Sequence, residues 1–142
     1  MVEDQLFYVA LKAVIEKDGQ VLVLFDPDLD LDLPGGKIQV GETDFSATLK
    51  REIFEETGLK VSIQKPFATG YINFPTDINH RHAGKKFFSV FFKATYLEGV
   101  LKLSEEHDQY KWVNKNNYKE HSRKQVKSNN IFNALKEYFG EK

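Results

Sequence analysis

The chain contains no cysteine. That excludes a disulfide framework, a thiolate zinc site and a cysteine nucleophile, and is compatible with a reducing compartment. No apolar stretch approaches the ~20 residues of a membrane-spanning helix, and no basic-then-apolar leader opens the chain. Charge of one sign is also lacking: the 142 residues carry a net charge of −1, with a pI of about 6.4. So even a balance gives no bulk attraction to nucleic acid or to an acidic membrane. The expectation is a soluble, cytoplasmic protein with neither a membrane nor a nucleic acid as partner. Repeats, linkers and low-complexity tracts are missing too. Residues 1–142 therefore read as one domain, long enough for a sizeable core.

Apolar patterning divides the chain into short strands and two helices. Residues 6–16 and 20–26, joined by Asp18-Gly19, read as an antiparallel pair. From Asp28 to Leu33 aspartate alternates with leucine, which suits a short edge strand. After residue 59, strands are expected at 60–65, cut short by Pro66, at 67–74, at 87–96, at 100–103 and at 110–113. A final helix is expected from Ser128 as its cap, with Ile131, Phe132, Leu135, Tyr138 and Phe139 on one apolar face. Strands, helix, strands, helix is the order of an α/β fold with a mixed sheet covered by helices.

Chemistry concentrates in residues 33–59. Pro34-Gly35-Gly36 reads as a turn that exposes backbone groups, and Gly58 as a helix stop. The helix between them carries Arg51, Glu52, Glu55 and Glu56. Residues three and four apart share a helix face, where like charges repel. Carboxylates gathered in this way suggest a hard divalent cation that compensates them.

This stretch resembles the signature box of the Nudix hydrolases (MutT-like nucleotide pyrophosphohydrolases). The matching residues are Gly36, Glu42, Arg51, Glu52, Ile53, Glu55, Glu56, Gly58 and Leu59. One departure is that eight residues, Thr43 to Lys50, stand where the family pattern has seven between glutamate and arginine. Leu49 and Phe45 continue the apolar face back from Arg51, so the extra residue is expected at Thr43-Asp44, before the helix. Glu42 is the box residue whose place it alters.

The resemblance implies an α/β/α sandwich, its mixed sheet flanked by the box helix and the C-terminal helix. It also implies hydrolysis of a nucleoside diphosphate linked to another moiety, with Mg2+ as cofactor and Mn2+ as a substitute. The expected metal ligands are Glu52, Glu55, Glu56 and the carbonyl of Gly36. Glu55, Glu56, Glu106 and Arg51 are the expected catalytic set. Within it, Arg51 pairs with Glu55 or Glu42, and Glu106 (with Glu105 next) is the acid of the loop before the last strand. His107 is a second candidate to move a proton, against the plainer reading of an exposed, ordinary histidine. For substrate phosphates the candidates are Lys37 and Arg81, with Lys85 and Lys86 behind them. Phe25, Tyr71, Phe74 and Phe87 are candidates to stack on a base. His80 and His82 match no common zinc spacing.

Three functions compete. A nucleoside triphosphate, giving the monophosphate and pyrophosphate by attack of a metal-activated water, is preferred; ADP-ribose or a dinucleoside polyphosphate are alternatives for the same chemistry. A non-catalytic nucleotide-sensing module would have a degraded glutamate cluster, and here it is complete. An RNA-end hydrolase would favour a basic channel that the charge balance does not supply. Nothing in the sequence speaks against a homodimer.

Overall fold

Strict alternation on two strands builds the centre of the molecule. In the computed structural model, which describes residues 2–27, 30–121 and 130–140, β1 (Tyr8–Lys17) and β2 (Gln20–Asp26) are buried on both faces. Leu11, Ala13, Ile15, Leu22 and Leu24 point to one side, where they meet Leu49 and Ile53 of helix α1 (Phe45–Thr57). Val14, Val21, Val23 and Phe25 point to the other, where they meet Ile131, Ala134 and Leu135 of α2 (Asn130–Tyr138). Period-two alternation thus supplies two cores from one sheet, and a helix closes each.

The sheet is mixed, ordered β3 (Asp30–Asp32), β2, β1, β6 (Lys86–Glu98), β5 (Lys60–Asn73). β1 and β6 run parallel from Tyr8↔Phe87 to Glu16↔Thr95, and the other pairs are antiparallel. β4 (Gly35–Lys37) pairs with β1, and β7 (Gln109–Val113) with β2. This is the expected α/β/α sandwich.

Several local expectations are corrected. Gly35 and Gly36 are not a turn but a strand beside Leu11 and Lys12. Pro66 does not end a strand, because β5 is at the sheet edge and absorbs the proline as register shifts on either side of it. Residues 100–103 form no strand. Instead the segment hydrogen-bonds the end of α1, Lys102 N–H donating to the Thr57 carbonyl (2.8 Å) and Ser104 N–H to that of Glu56 (3.0 Å). In the polar stretch after β7, a 3-10 turn (Tyr118–His121) buries Tyr118 completely. Asp28, Leu29 and the Ser128 cap lie outside the described residues.

Candidate active site

Helix α1 starts where the extra box residue was expected to be absorbed. Asp44 is its cap, accepting from Ala47 N–H at 3.1 Å, and Gly58 ends it in a left-handed conformation. Leu49 and Ile53 are fully buried, whereas Phe45 is 46% exposed and does not extend that face. Glu42 is still held in place despite the insertion. Its carboxylate accepts from Gln39 N–H (2.8 Å), Thr48 Oγ1 (2.9 Å) and Arg51 Nη2 (2.9 Å), and these bonds hold its carboxyl below the ordinary range.

Arg51 pairs with both expected partners and a third. It bonds Glu42, Glu52 (3.1 Å) and both oxygens of Glu55 (3.1 Å). Glu55 lies on the exposed flank of this cluster, at 57% side-chain exposure. Glu52 lies on the inner flank and packs on Gly36: a Cβ there would sit 2.5 Å from Glu52 Oε2. Only glycine admits this carboxylate so close to the strand. Burial pushes the Glu52 carboxyl up, with Glu55 and Glu106 adding to the shift and Arg51 opposing it.

One turn on, Glu56 is buried and meets a network whose members come from distant parts of the chain. Lys12 Nζ lies 3.1 Å from Asp32 Oδ1 and also donates to the Leu33 carbonyl (3.2 Å). His107 Nε2 is 2.9 Å from Asp32 Oδ2, and His107 Nδ1 is 3.7 Å from Glu56 Oε2. Burial pushes the Glu56 carboxyl up to about 8; Asp32, Glu106 and Glu52 add to the shift, and Lys12 opposes it. For Asp32, burial is outweighed by Lys12 and the bond to His107, so its carboxyl stays below the ordinary range. Lys12 is raised: its own burial is outweighed chiefly by Asp32. His107 is therefore not an exposed histidine; its side chain is 2% exposed. The strap of residues 100–108 over the end of α1 puts it there, along with Glu106. Ligand atoms of Glu56, Glu106 and His107 lie within 4.8 Å of one another.

These side chains border a cavity of about 530 Å³ on the α2 side of the sheet. Its floor is Ala10, Lys12, Phe87 and Ser89, where the small residues of β1 and β6 leave room. Glu52, Glu56 and Glu106 stand at one end, and Lys37 and Arg81 also line it. The loop before β6 forms another wall with Phe74, Ile78 and His82. That loop is tied down by His80 Nε2, 3.2 Å from buried Asp26, while Arg81 lies 3.7 Å from Glu106. Burial, helped by Arg81, His80, Lys37 and Lys85, pushes the His82 imidazole down to about 3, so it lines the cavity uncharged. Asn130, at the start of α2, faces the same cavity; both its amide atoms are buried with no hydrogen-bond partner among the described residues.

Of the expected residues, the structure brings together Gly36, Glu52, Glu56, Glu106, Lys37 and Arg81 around the cavity. Glu55 and Arg51 stand on its outer flank. Phe74 and Phe87 line it, whereas Phe25 and Tyr71 do not. Sequence reasoning passed over Lys12 and Asn130, and read Asp32 only as part of the acidic edge strand before Pro34. A signal existed for Lys12, the one charge in the apolar run of residues 6–15: a lysine on a strand buried on both faces needs an acidic partner.

The NUDIX domain model matches residues 8–134. Among solved structures, the chain is similar to a NUDIX hydrolase from Nitrosomonas europaea, at 18% identity and a TM-score of 0.73 over 94% of this chain and 89% of that one. A MutT protein from Methanosarcina mazei Go1 is 25% identical, with a TM-score of 0.70 over 98% and 96%. An ADP-ribose pyrophosphatase from Streptococcus suis, 22% identical with a TM-score of 0.55 over 74% and 72%, shares the fold. No curated protein matches the chain. With Gly36, Glu52 and Glu56 of the box at one cavity and the family model covering most of its length, the chain belongs to the NUDIX hydrolase family.

Proposed function

We propose that the protein hydrolyses a nucleoside triphosphate to the monophosphate and pyrophosphate, with Mg2+ as cofactor. The observation that carries this reading is a shared wall: Glu52 and Glu56 of the box border the same cavity as an aromatic lining and an amide with no partner among the described residues. Phosphates at the acidic end would leave the base against the wall made by Phe74 and Phe87, which pack edge to face on each other, with Asn130 to read its edge.

Glu52 and Glu56, with Glu55 from the outer flank and the backbone of Gly36, would hold the cation. The donor set fits a divalent ion, since it is rich in carboxylate oxygen and Glu56 Oε2 is buried without a hydrogen-bond partner among the described residues. When bound, such an ion neutralises phosphate charge and lowers the pKa of a coordinated water. The protein side chains do the rest. Arg51 fixes the spacing of Glu42, Glu52 and Glu55. Lys37 and Arg81 draw the phosphate chain to the acidic end, where in-line positioning supplies most of the catalysis. Glu106, reachable from solvent, accepts the proton of the attacking water. The water oxygen bonds to phosphorus, and the oxygen bridging the α and β phosphates leaves with the pyrophosphate.

A substrate panel of nucleoside triphosphates, a dinucleoside polyphosphate and ADP-ribose, with Mg2+, tests this on wild type and Glu56→Gln. The expected result is monophosphate and pyrophosphate from a triphosphate, falling by about 100-fold or more in the variant. Unchanged turnover in Glu56→Gln would overturn the site. Faster turnover of ADP-ribose than of any triphosphate would overturn the substrate.

A further inference from the structure

The buried side of the acid cluster contains a nitrogen donor that carboxylate chemistry does not use. His107 Nε2 faces Asp32 Oδ2 at 2.9 Å. An ionised carboxylate only accepts, so Nε2 carries a proton, and in the neutral ring the lone pair is then on Nδ1. Lys12, 3.1 Å from Asp32, balances that carboxylate's charge and fixes its position. The free Nδ1 is buried, has no hydrogen-bond partner among the described residues, and lies 3.7 Å from Glu56 Oε2, which has none either. That gap is too long for a hydrogen bond. It is close to the spacing of two ligands that share a cation: at about 2.1 Å from one ion they are separated by roughly 3.4 Å at the tetrahedral angle. A metal-binding histidine characteristically donates its other N–H to a carboxylate, which orients the ring. Asp32 is that carboxylate here, and an oxygen of the exposed Glu106 lies within 4.8 Å of the ligand atoms of both Glu56 and His107.

We propose that Glu56, Glu106 and His107 form a mixed oxygen–nitrogen site for a first-row divalent ion such as Mn2+, with Nδ1 of His107 as a direct ligand. This rests on the reading above that the acid cluster holds divalent cations, and adds a nitrogen ligand and hence a metal preference. Imidazole binds first-row transition ions, Mn2+ the least tightly of them, whereas Mg2+ seeks oxygen. The chain thus binds Mn2+ more tightly than Mg2+, and His107 is the source of the difference.

The test is pulsed electron paramagnetic resonance on Mn2+ bound to the whole protein, without substrate. Modulation from a directly coordinated nitrogen is expected in wild type. It should take the 15N pattern in protein made with 15N-histidine, and vanish in His107→Gln. By titration, His107→Gln should lose at least about 10-fold in Mn2+ affinity and much less in Mg2+ affinity. Bound Mn2+ without nitrogen modulation in wild type, or modulation that survives in His107→Gln, overturns the proposal. The labelled wild type carries no substitution, so its signal is independent of how the variant folds. Mg2+-dependent turnover lost in Glu56→Gln, alongside all-oxygen Mn2+, would sink the histidine ligand and leave the pyrophosphohydrolase reading standing.

Discussion

Replacing Lys12 by Met removes a charge and keeps the apolar stem, so it isolates the ion pair with Asp32. The side chains are 16% and 21% exposed, and Nζ sits 3.1 Å from one oxygen and 3.2 Å from the Leu33 carbonyl. Breaking a buried pair from one side costs about 3–5 kcal/mol, because the other charge is left uncompensated. The residual exposure and the bond from His107 put this case at the lower end, about 3 kcal/mol, or roughly 10 °C in Tm for a domain of this size. The deficit must depend on pH. In wild type the folded pKa of Asp32 lies below its unfolded value. Its contribution is present above the ordinary carboxylate range and is lost as pH falls through the folded value. Without Lys12, Asp32 can take a proton as pH approaches 4, so the gap between variant and wild type narrows there. Urea unfolding followed by fluorescence of Trp112, at pH 7 and pH 4.5, measures both. A second variant, Lys12→Met with Asp32→Leu, removes both charges and should recover much of the loss. A Lys12→Met protein within 1 kcal/mol of wild type at pH 7, or a deficit equal at both pH values, would refute the reasoning.

Three other expectations follow from the same geometry. Glu56 has a folded pKa raised to about 8, so the metal-free fold binds the extra proton and loses stability as pH rises from about 5 to 8, by a few kcal/mol; thermal melts in EDTA should show the decline, and added Mg2+ should reverse it. Gly36→Ala puts a Cβ against the Glu52 carboxylate, so turnover should fall by about 10-fold or more while Tm changes little; unchanged kinetics would contradict the close approach. Asn130→Leu removes two buried amide atoms that have no partner among the described residues, and should raise stability by about 1 kcal/mol while raising KM for the nucleotide; an unaltered KM would remove Asn130 from the site.

What the sequence disclosed was local. The box helix was legible because its cap, apolar face, acid spacing and glycine stop all fall within one short segment. Glu42 reaches Arg51 because the cap at Asp44 absorbs the added residue, where the sequence places it from Leu49 and Phe45, although Phe45 proves half exposed. What it hid was non-local. Gly35 and Gly36 suit a turn or a close strand equally, and only pairing with Leu11 and Lys12 decides. Residues 100–103 alternate like a strand, yet their backbone partners are carbonyls at the end of α1. His107 looks like one polar residue in a polar loop until that strap carries it under Asp32.

The two cations beside the box show why those hidden residues matter to the chemistry. Arg51 is shared among Glu42, Glu52 and Glu55, and Lys12 is committed to Asp32. Each thereby holds acids in place without neutralising all of them. Arg81, the next cation along the wall, reaches Glu106 only at 3.7 Å. Glu56 is left buried between Asp32, Glu52 and Glu106, which is why its carboxyl titrates so high. A buried acid raised in this way is a poor charge in the empty fold and a good ligand once a divalent ion arrives. Filling the cluster with a third close cationic side chain would stabilise the empty protein and cost it the metal ion. The negative charge left at this end of the cavity therefore reads as the part of the fold that function requires.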